Sequence, residues 1–145
     1  MAETATNAPT ASKHIFIHQI CEQKLNSKVR FLGCVLEYEE KTGQLVLQHR
    51  HSRDRRICAE VIIDIGIILE TVQRSQLQSG TWINVIGYVR SIPVNERRRS
   101  DSRSGQLKEA DASMAEVQAV LLWGAGAIRL DIYEQTLEDQ SAAKV

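Results

Sequence analysis

The chain has 145 residues, 43% apolar and 25% charged, with 18 basic and 18 acidic side chains that cancel to zero net charge. That length favours one domain with a buried core, and the neutral balance excludes a chain drawn as a whole to nucleic acid or a membrane surface. Three cysteines (Cys21, Cys34, Cys58), odd in number and without framework spacing, point to a reducing compartment.

"MAETATNAPTASK" (1–13) has neither the basic start nor the apolar run of a secretory signal and reads as a disordered tail. "HIFIHQI" is a short apolar alternation, and a polar stretch follows to Ser27. "KVRFLGCVLEYEE" reads as one long strand with Gly33 near its middle, where a small residue or bulge lets a strand bend to serve two sheets. Lys41-Thr42-Gly43 makes a hairpin turn into a second strand, "QLVLQH", and the arginine-rich "RHSRDRR" is a loop. The third strand, "AEVIIDI", puts Val61, Ile63 and Ile65 on one face. Apolar residues at 67, 68, 69 and 72 then predict a short helix ending near Gly80. "VIIDIGIIL" is the most apolar run, but Asp64 interrupts it and it is too short to span a bilayer.

In the fourth strand, "TWINVIGYVRSI", Ile83, Val85 and Val89 face one way, with Trp82, Asn84, Ile86 and Tyr88 opposite. Pro93 stops it, and residues 94–115 form a long, polar, flexible loop. "MAEVQAVLLW" is a fifth strand. Leu130, Tyr133 and Leu137 then recur at i, i+3 and i+7, one stripe of an amphipathic C-terminal helix. Residues 140–145 read as a second tail, leaving 14–139 as a single domain. Five strands, a helix between the third and fourth, a bent first strand and a terminal helix predict an all-β Greek-key barrel, the OB-fold.

"VLLWGAGAIRLD" raises a cofactor question, because a strand, Gly124-x-Gly126 and a helix follow in the order of a dinucleotide fingerprint. The third glycine of that fingerprint falls on Arg129, and the chain ends without room for the acidic second strand. The glycines read as a turn, and no cofactor is expected. His49, His51 and Cys58 match no common zinc spacing and lack a fourth ligand, so no metal is expected and the histidines read as solvent-facing. No nucleophile–base motif appears, so the chain reads as a binding module rather than an enzyme.

Of twelve arginines, four lie between 50 and 56 and four between 97 and 103. Loops beside an OB ligand face suit phosphate contact, and aromatic side chains suit base stacking. The candidate nucleic-acid contacts are therefore Arg53, Arg55, Arg56, Arg98 and Arg99, with Trp82 and Tyr88. The alternative is a solvated pair of loops whose charge is offset by Asp54, Glu96 and Asp101. The C-terminal stripe has two readings as well: a plug for the barrel, or an anchor for a partner's helix, which is the one favoured.

"VRFLGCV", "WINVIGYV" and "IRLDIYEQTLE" together closely resemble the smallest-subunit (Ten-one) family of the CST telomere-capping complex in its filamentous-fungal form, itself similar to the small subunit of replication protein A. The resemblance covers roughly residues 14 to 139. It implies a nuclear OB-fold protein at the telomeric region of chromosomes, with no membrane association. It further implies tight pairing with the middle (Stn) subunit and assembly with a large DNA-binding subunit on single-stranded telomeric DNA. Such a complex protects ends, limits telomerase and supports DNA polymerase alpha–primase. In the family the C-terminal helix packs on the partner, a role that falls here on Leu130, Tyr133 and Leu137, flanked by Arg129. The arginine-rich 94–115 loop departs from the family's pattern. A stand-alone single-strand binder, or a replication protein A-type small subunit, is the alternative.

Overall fold

The computed structural model describes residues 11–93 and 114–143. The strands are β1 (Lys13–His14), β2 (Lys28–Glu39), β3 (Gln44–Arg50), β4 (Cys58–Asp64), β5 (Trp82–Ser91) and β6 (Ala115–Gly124), and one α-helix follows, α1 (Leu130–Ala143). Neighbours run β1-β2-β3-β4-β6-β5, and a further pairing of β5 with β2 closes β2 to β6 into a five-stranded barrel. The β4–β6 pair is parallel, the pairing that a Greek-key connection produces, and the other barrel pairs are antiparallel.

β2 pairs with β5 along Lys28–Cys34 and with β3 along Cys34–Glu39, so the strand changes partners beside Gly33. A side chain at Gly33 would stand 2.9 Å from both Ile17 Cδ1 and Leu47 Cβ, so only hydrogen fits there. An extra residue, Leu36, sits in a register shift between Val35 and Glu37. It resets the period-two alternation, and Tyr38 rather than Glu37 packs on the core. Gly43 closes the hairpin with φ +69, and its N–H bonds the Glu39 carbonyl at 3.0 Å.

The core is the inner row of each strand: Val29, Phe31 and Val35, Leu45 and Leu47, Val61 and Ile63, Ile83, Val85 and Val89, Val117 and Ala119. The faces expected for the third and fourth strands hold, with Val61, Ile63, Ile65, Ile83, Val85 and Val89 all fully buried. A 3-10 turn at Ile17–Glu22 packs on β2, β3 and β4 and inserts Ile17 and Ile20 into the core. The short apolar alternation in the sequence is therefore a barrel plug.

The expected helix between the third and fourth strands is instead two 3-10 turns, Gly66–Thr71 and Arg74–Leu77, neither with a fully buried residue. Local hydrogen bonds explain this: Asp64 Oδ1 accepts from the Gly66 N–H at 2.9 Å, and Gln76 Oε1 accepts from the Gln73 N–H at 2.9 Å. Side chains that bond nearby backbone compete with an α-helical ladder, and β-branched Ile67, Ile68 and Val72 add χ1 crowding. Two boundaries also shift. Lys13 already pairs with Val29, and α1 runs to Ala143, beyond the expected end at 139. The expectations for residues 1–10, for the 94–113 part of the long loop and for 144–145 lie outside the described residues.

Candidate partner interface and the seat of the C-terminal helix

β6 delivers the chain to α1 through a turn at 125–129. The Ala125 N–H bonds the Trp82 carbonyl at 2.9 Å and Gly126 has φ +68, so the glycine pair serves as a turn between elements. Asp131 lies in the first helical turn, where a negative charge suits the helix dipole, and pairs with Arg129 at 3.3 Å on the exposed surface.

Helical spacing puts Leu130, Tyr133, Glu134 and Leu137 on one face, and this face turns toward the barrel. Leu137 is 2% exposed and Glu134 is fully buried, while Leu130 and Tyr133 are half-buried. Tyr133 shares a 2.9 Å hydrogen bond with His14 and meets Phe16 edge-on. Burial pushes its phenol up to about 12 despite the opposing Arg30 charge, so it keeps its proton. The stripe read as a partner anchor thus has a prior engagement with its own fold. Apolar side chains left open include Ile132 on α1 and Leu121 on β6, each 51% exposed.

Glu134 is the residue the sequence reading missed. His49 Nε2 lies 2.8 Å from Glu134 Oε2, the Ser52 hydroxyl donates to Oε1 at 2.8 Å, and the Ser52 N–H reaches both oxygens at 3.1 Å. Burial alone would raise this carboxyl, but the bonds from His49 and Ser52 together outweigh it and hold it below the ordinary range. An ionised carboxylate only accepts, so His49 Nε2 carries the hydrogen, and His49 Nδ1 is buried without a partner among the described residues. A signal was present: Glu134 is four residues after Leu130, and His49 shares period-two parity with Leu45 and Leu47.

All four histidines of the chain gather here. Around Phe16, the rings of His18, His49 and His51 lie with centroids 5.5, 5.8 and 4.7 Å away, and His14 packs on Tyr133 at 5.7 Å. His49 and His51, expected at the surface, are 2% and 5% exposed, because the N-terminal segment and α1 fold over the end of β3. Burial lowers His14, His18 and His51 below the ordinary imidazole value. Among the described residues no group of three or more histidine, cysteine or carboxylate side chains is placed to hold a metal ion.

The candidate nucleic-acid residues separate. Arg53 donates to Gln135 Oε1 and Glu138 Oε1, both at 2.9 Å, and so ties the 51–57 connection to α1. Arg56 pairs with Asp54 at 3.1 Å, and the Arg55 carbonyl accepts from Arg50 at 2.8 Å. Trp82 is half-buried against His49 at 5.7 Å. Tyr88 stands on the outer face between Lys28 Nζ (6.0 Å) and the Arg90 guanidinium (5.8 Å), and Arg90 is braced by Asn26 and Gln118. Two residues after Lys28 on β2, the Arg30 guanidinium lies over Trp123 at 5.4 Å. Arg98 and Arg99 lie outside the described residues.

A small closed barrel of Greek-key order with a C-terminal helix seated on it defines a single-OB-fold protein. Comparisons with known proteins narrow that class. The profile of the Ten1 family, "Telomere capping, CST complex subunit", matches residues 1–138, and the chain belongs to that family. Protein ten1 of Schizosaccharomyces pombe is 36% identical over 77 residues, 53% of this chain and 64% of the relative's length. The crystal structure of the S. pombe Stn1–ten1 complex contains a chain that superposes with a TM-score of 0.63 at 26% identity, covering 93% of this chain and 96% of that one. Replication protein A of U. maydis, solved bound to single-stranded DNA, matches in fold with a TM-score of 0.56 at 14% identity, covering 93% of this chain and 94% of that one.

Proposed function

We propose that this chain is a non-enzymatic CST subunit in the nucleus that heterodimerises with the Stn-type subunit through α1 and the adjoining end of β6. Within the complex it contributes to holding single-stranded telomeric DNA, protecting ends and regulating telomere length. Association with the large DNA-binding subunit and with DNA polymerase alpha–primase is indirect, through that pairing. One observation carries the reading: α1 is seated by its inner face while Ile132 and Leu121 stay open in a chain of the Ten1 family. A relative of known structure was solved together with Stn1.

In this reading Arg129 and Ile132 meet the partner, while Leu130, Tyr133 and Leu137 hold the helix in place for it. A carboxylate placed in a docked apolar face would be desolvated without a partner, so Ile132→Glu and Leu121→Glu should each abolish co-elution with the Stn-type subunit in size exclusion. Both variants should melt like the parent chain, since neither side chain is in the core. Co-elution that survives both changes refutes the docking surface.

Tyr88 between two cations supports a second reading, direct contact with single-stranded nucleic acid by the chain alone. Cys58 lines a cleft at the end of the 51–57 connection, so Arg55 and Arg56 join that reading, while Arg98 and Arg99 lie outside the described residues. Titration of the isolated chain with a labelled single strand separates the two. Tight binding without the Stn-type subunit favours the stand-alone binder.

A further inference from the structure

We infer that Glu134, held by His49 and Ser52, is the positioning group that locks the partner-docking helix onto the barrel before any partner arrives. This rests on the docking role of α1 proposed above. The carboxylate is fully buried, yet every close donor on it comes from β3 or the connection after it, 82 to 85 residues away in sequence. It therefore acts across the chain, joining the last element to the middle of the barrel. Its neighbours extend the same seam: Tyr133 to His14, and Arg53 to Gln135 and Glu138.

The chemistry makes the seat selective for one pose. An ionised carboxylate deep in a protein is costly unless each oxygen is bonded, and here only one placement of α1 presents Oε1 to Ser52 and Oε2 to His49. Shifting the helix by one residue would part the carboxylate from His49 and Ser52 and leave a buried charge without donors. Apolar contacts by Leu130 and Leu137 tolerate such sliding, because hydrophobic attraction has no direction. The carboxylate thus supplies register, and Leu137 supplies area. A helix held in register presents Ile132 at a fixed place, so a partner need not order it. Without the latch, apparent affinity falls by the fraction of chains with the helix seated.

The test uses the full chain with and without the Stn-type subunit. Amide hydrogen exchange is measured across 130–143 for the parent, Glu134→Ala, His49→Ala and the paired apolar replacement His49→Leu with Glu134→Met. Removing one partner of a buried charged pair is costly, whereas an apolar pair of similar volume is often neutral. Both single variants should exchange α1 amides faster, with β2–β6 unchanged, and weaken the Stn-type subunit's binding about tenfold or more. The apolar pair should restore α1 protection but leave binding weakened, because an apolar seat fixes no register, and full recovery of affinity would overturn the register role.

Unchanged α1 exchange in Glu134→Ala overturns the latch, whatever happens to binding. Faster exchange with unchanged affinity overturns the positioning role. Failure of the parent chain to bind at all defeats the docking reading and the positioning role with it. The exchange measurement needs no partner and so keeps that failure distinct from failure of the latch.

Discussion

Gly33→Ala places one carbon where the barrel is tightest. The new Cβ would meet Ile17 Cδ1 and Leu47 Cβ, each at 2.9 Å, with Leu47 Cδ1 at 3.2 Å. Carbon atoms prefer roughly 3.5–4.0 Å, so both close contacts lie inside the repulsive wall. Ile17 Cδ1 is a terminal methyl and can swing away. Leu47 Cβ is fixed to the backbone of β3, and moving it pulls on the Val35–Leu47 pairing. Overpacking a filled core costs about 1–3 kcal/mol, and Gly33→Val, with two more methyls, belongs at or beyond the upper end. For a domain near this size each kcal/mol lowers Tm by about 4 °C. Urea unfolding should show a lower midpoint with an unchanged slope, the mark of lost stability rather than an altered unfolded state. Adding Ile17→Ala to Gly33→Ala should recover only part of the loss, because the Leu47 contact remains. A midpoint for Gly33→Ala equal to the parent's would refute the tight strand exchange at this position.

Gly87→Ala should cost more than Gly33→Ala, because the added carbon would collide with the Gln118 carbonyl oxygen, and backbone in a paired strand cannot yield like a side chain. Stability should also fall with acid in two steps. His14 is depressed by burial and the Arg30 charge, and His18 by burial and His51 against Glu22 and Glu138. His51 is depressed by burial and His49, against Glu134, Glu138 and Asp54. A depressed folded value means the unfolded chain binds more protons below 6.5, so their contribution is whole above that pH and fades as pH falls through the folded values. The Glu134 carboxyl, also lower in the fold, contributes above 4.5 and is lost only as pH falls through its own folded value. A melt series from pH 8 to pH 4 (values on the order of the range where imidazole and carboxyl groups titrate) that is flat near 6 would contradict the buried histidines. Tyr88→Ala should weaken single-strand binding by the assembled complex by about 1–3 kcal/mol. Charge reversal of Arg98 and Arg99 should weaken it less at high salt than at low salt. An unchanged affinity at low salt would leave those arginines to solvent.

The barrel was legible because its strands carry their own periodicity. Val61, Ile63 and Ile65 alternate with polar or outward residues, as do Ile83, Val85 and Val89, and period two permits only one buried face. Gly33 announced the bend, since a residue without a side chain inside a strand signals close approach. The 3-10 linker was less legible because apolar spacing at 67, 68, 69 and 72 does not record the local hydrogen bonds that divert the backbone. The C-terminal stripe was read correctly as a stripe, but an amphipathic pattern names a buried face without naming what buries it.

By itself, then, the sequence determined the strands, their inner faces, the hairpin glycine and the amphipathic terminal helix, all of which depend on residues within one element. Only the tertiary structure decided that Ile17 and Ile20 plug the barrel, that Tyr133 meets His14, and that Glu134 meets His49 and Ser52. Those contacts join residues 82 to 119 positions apart in the case of the hydrogen bonds. No local pattern encodes such pairings, because a buried carboxylate is tolerated only where the closed fold supplies its donors.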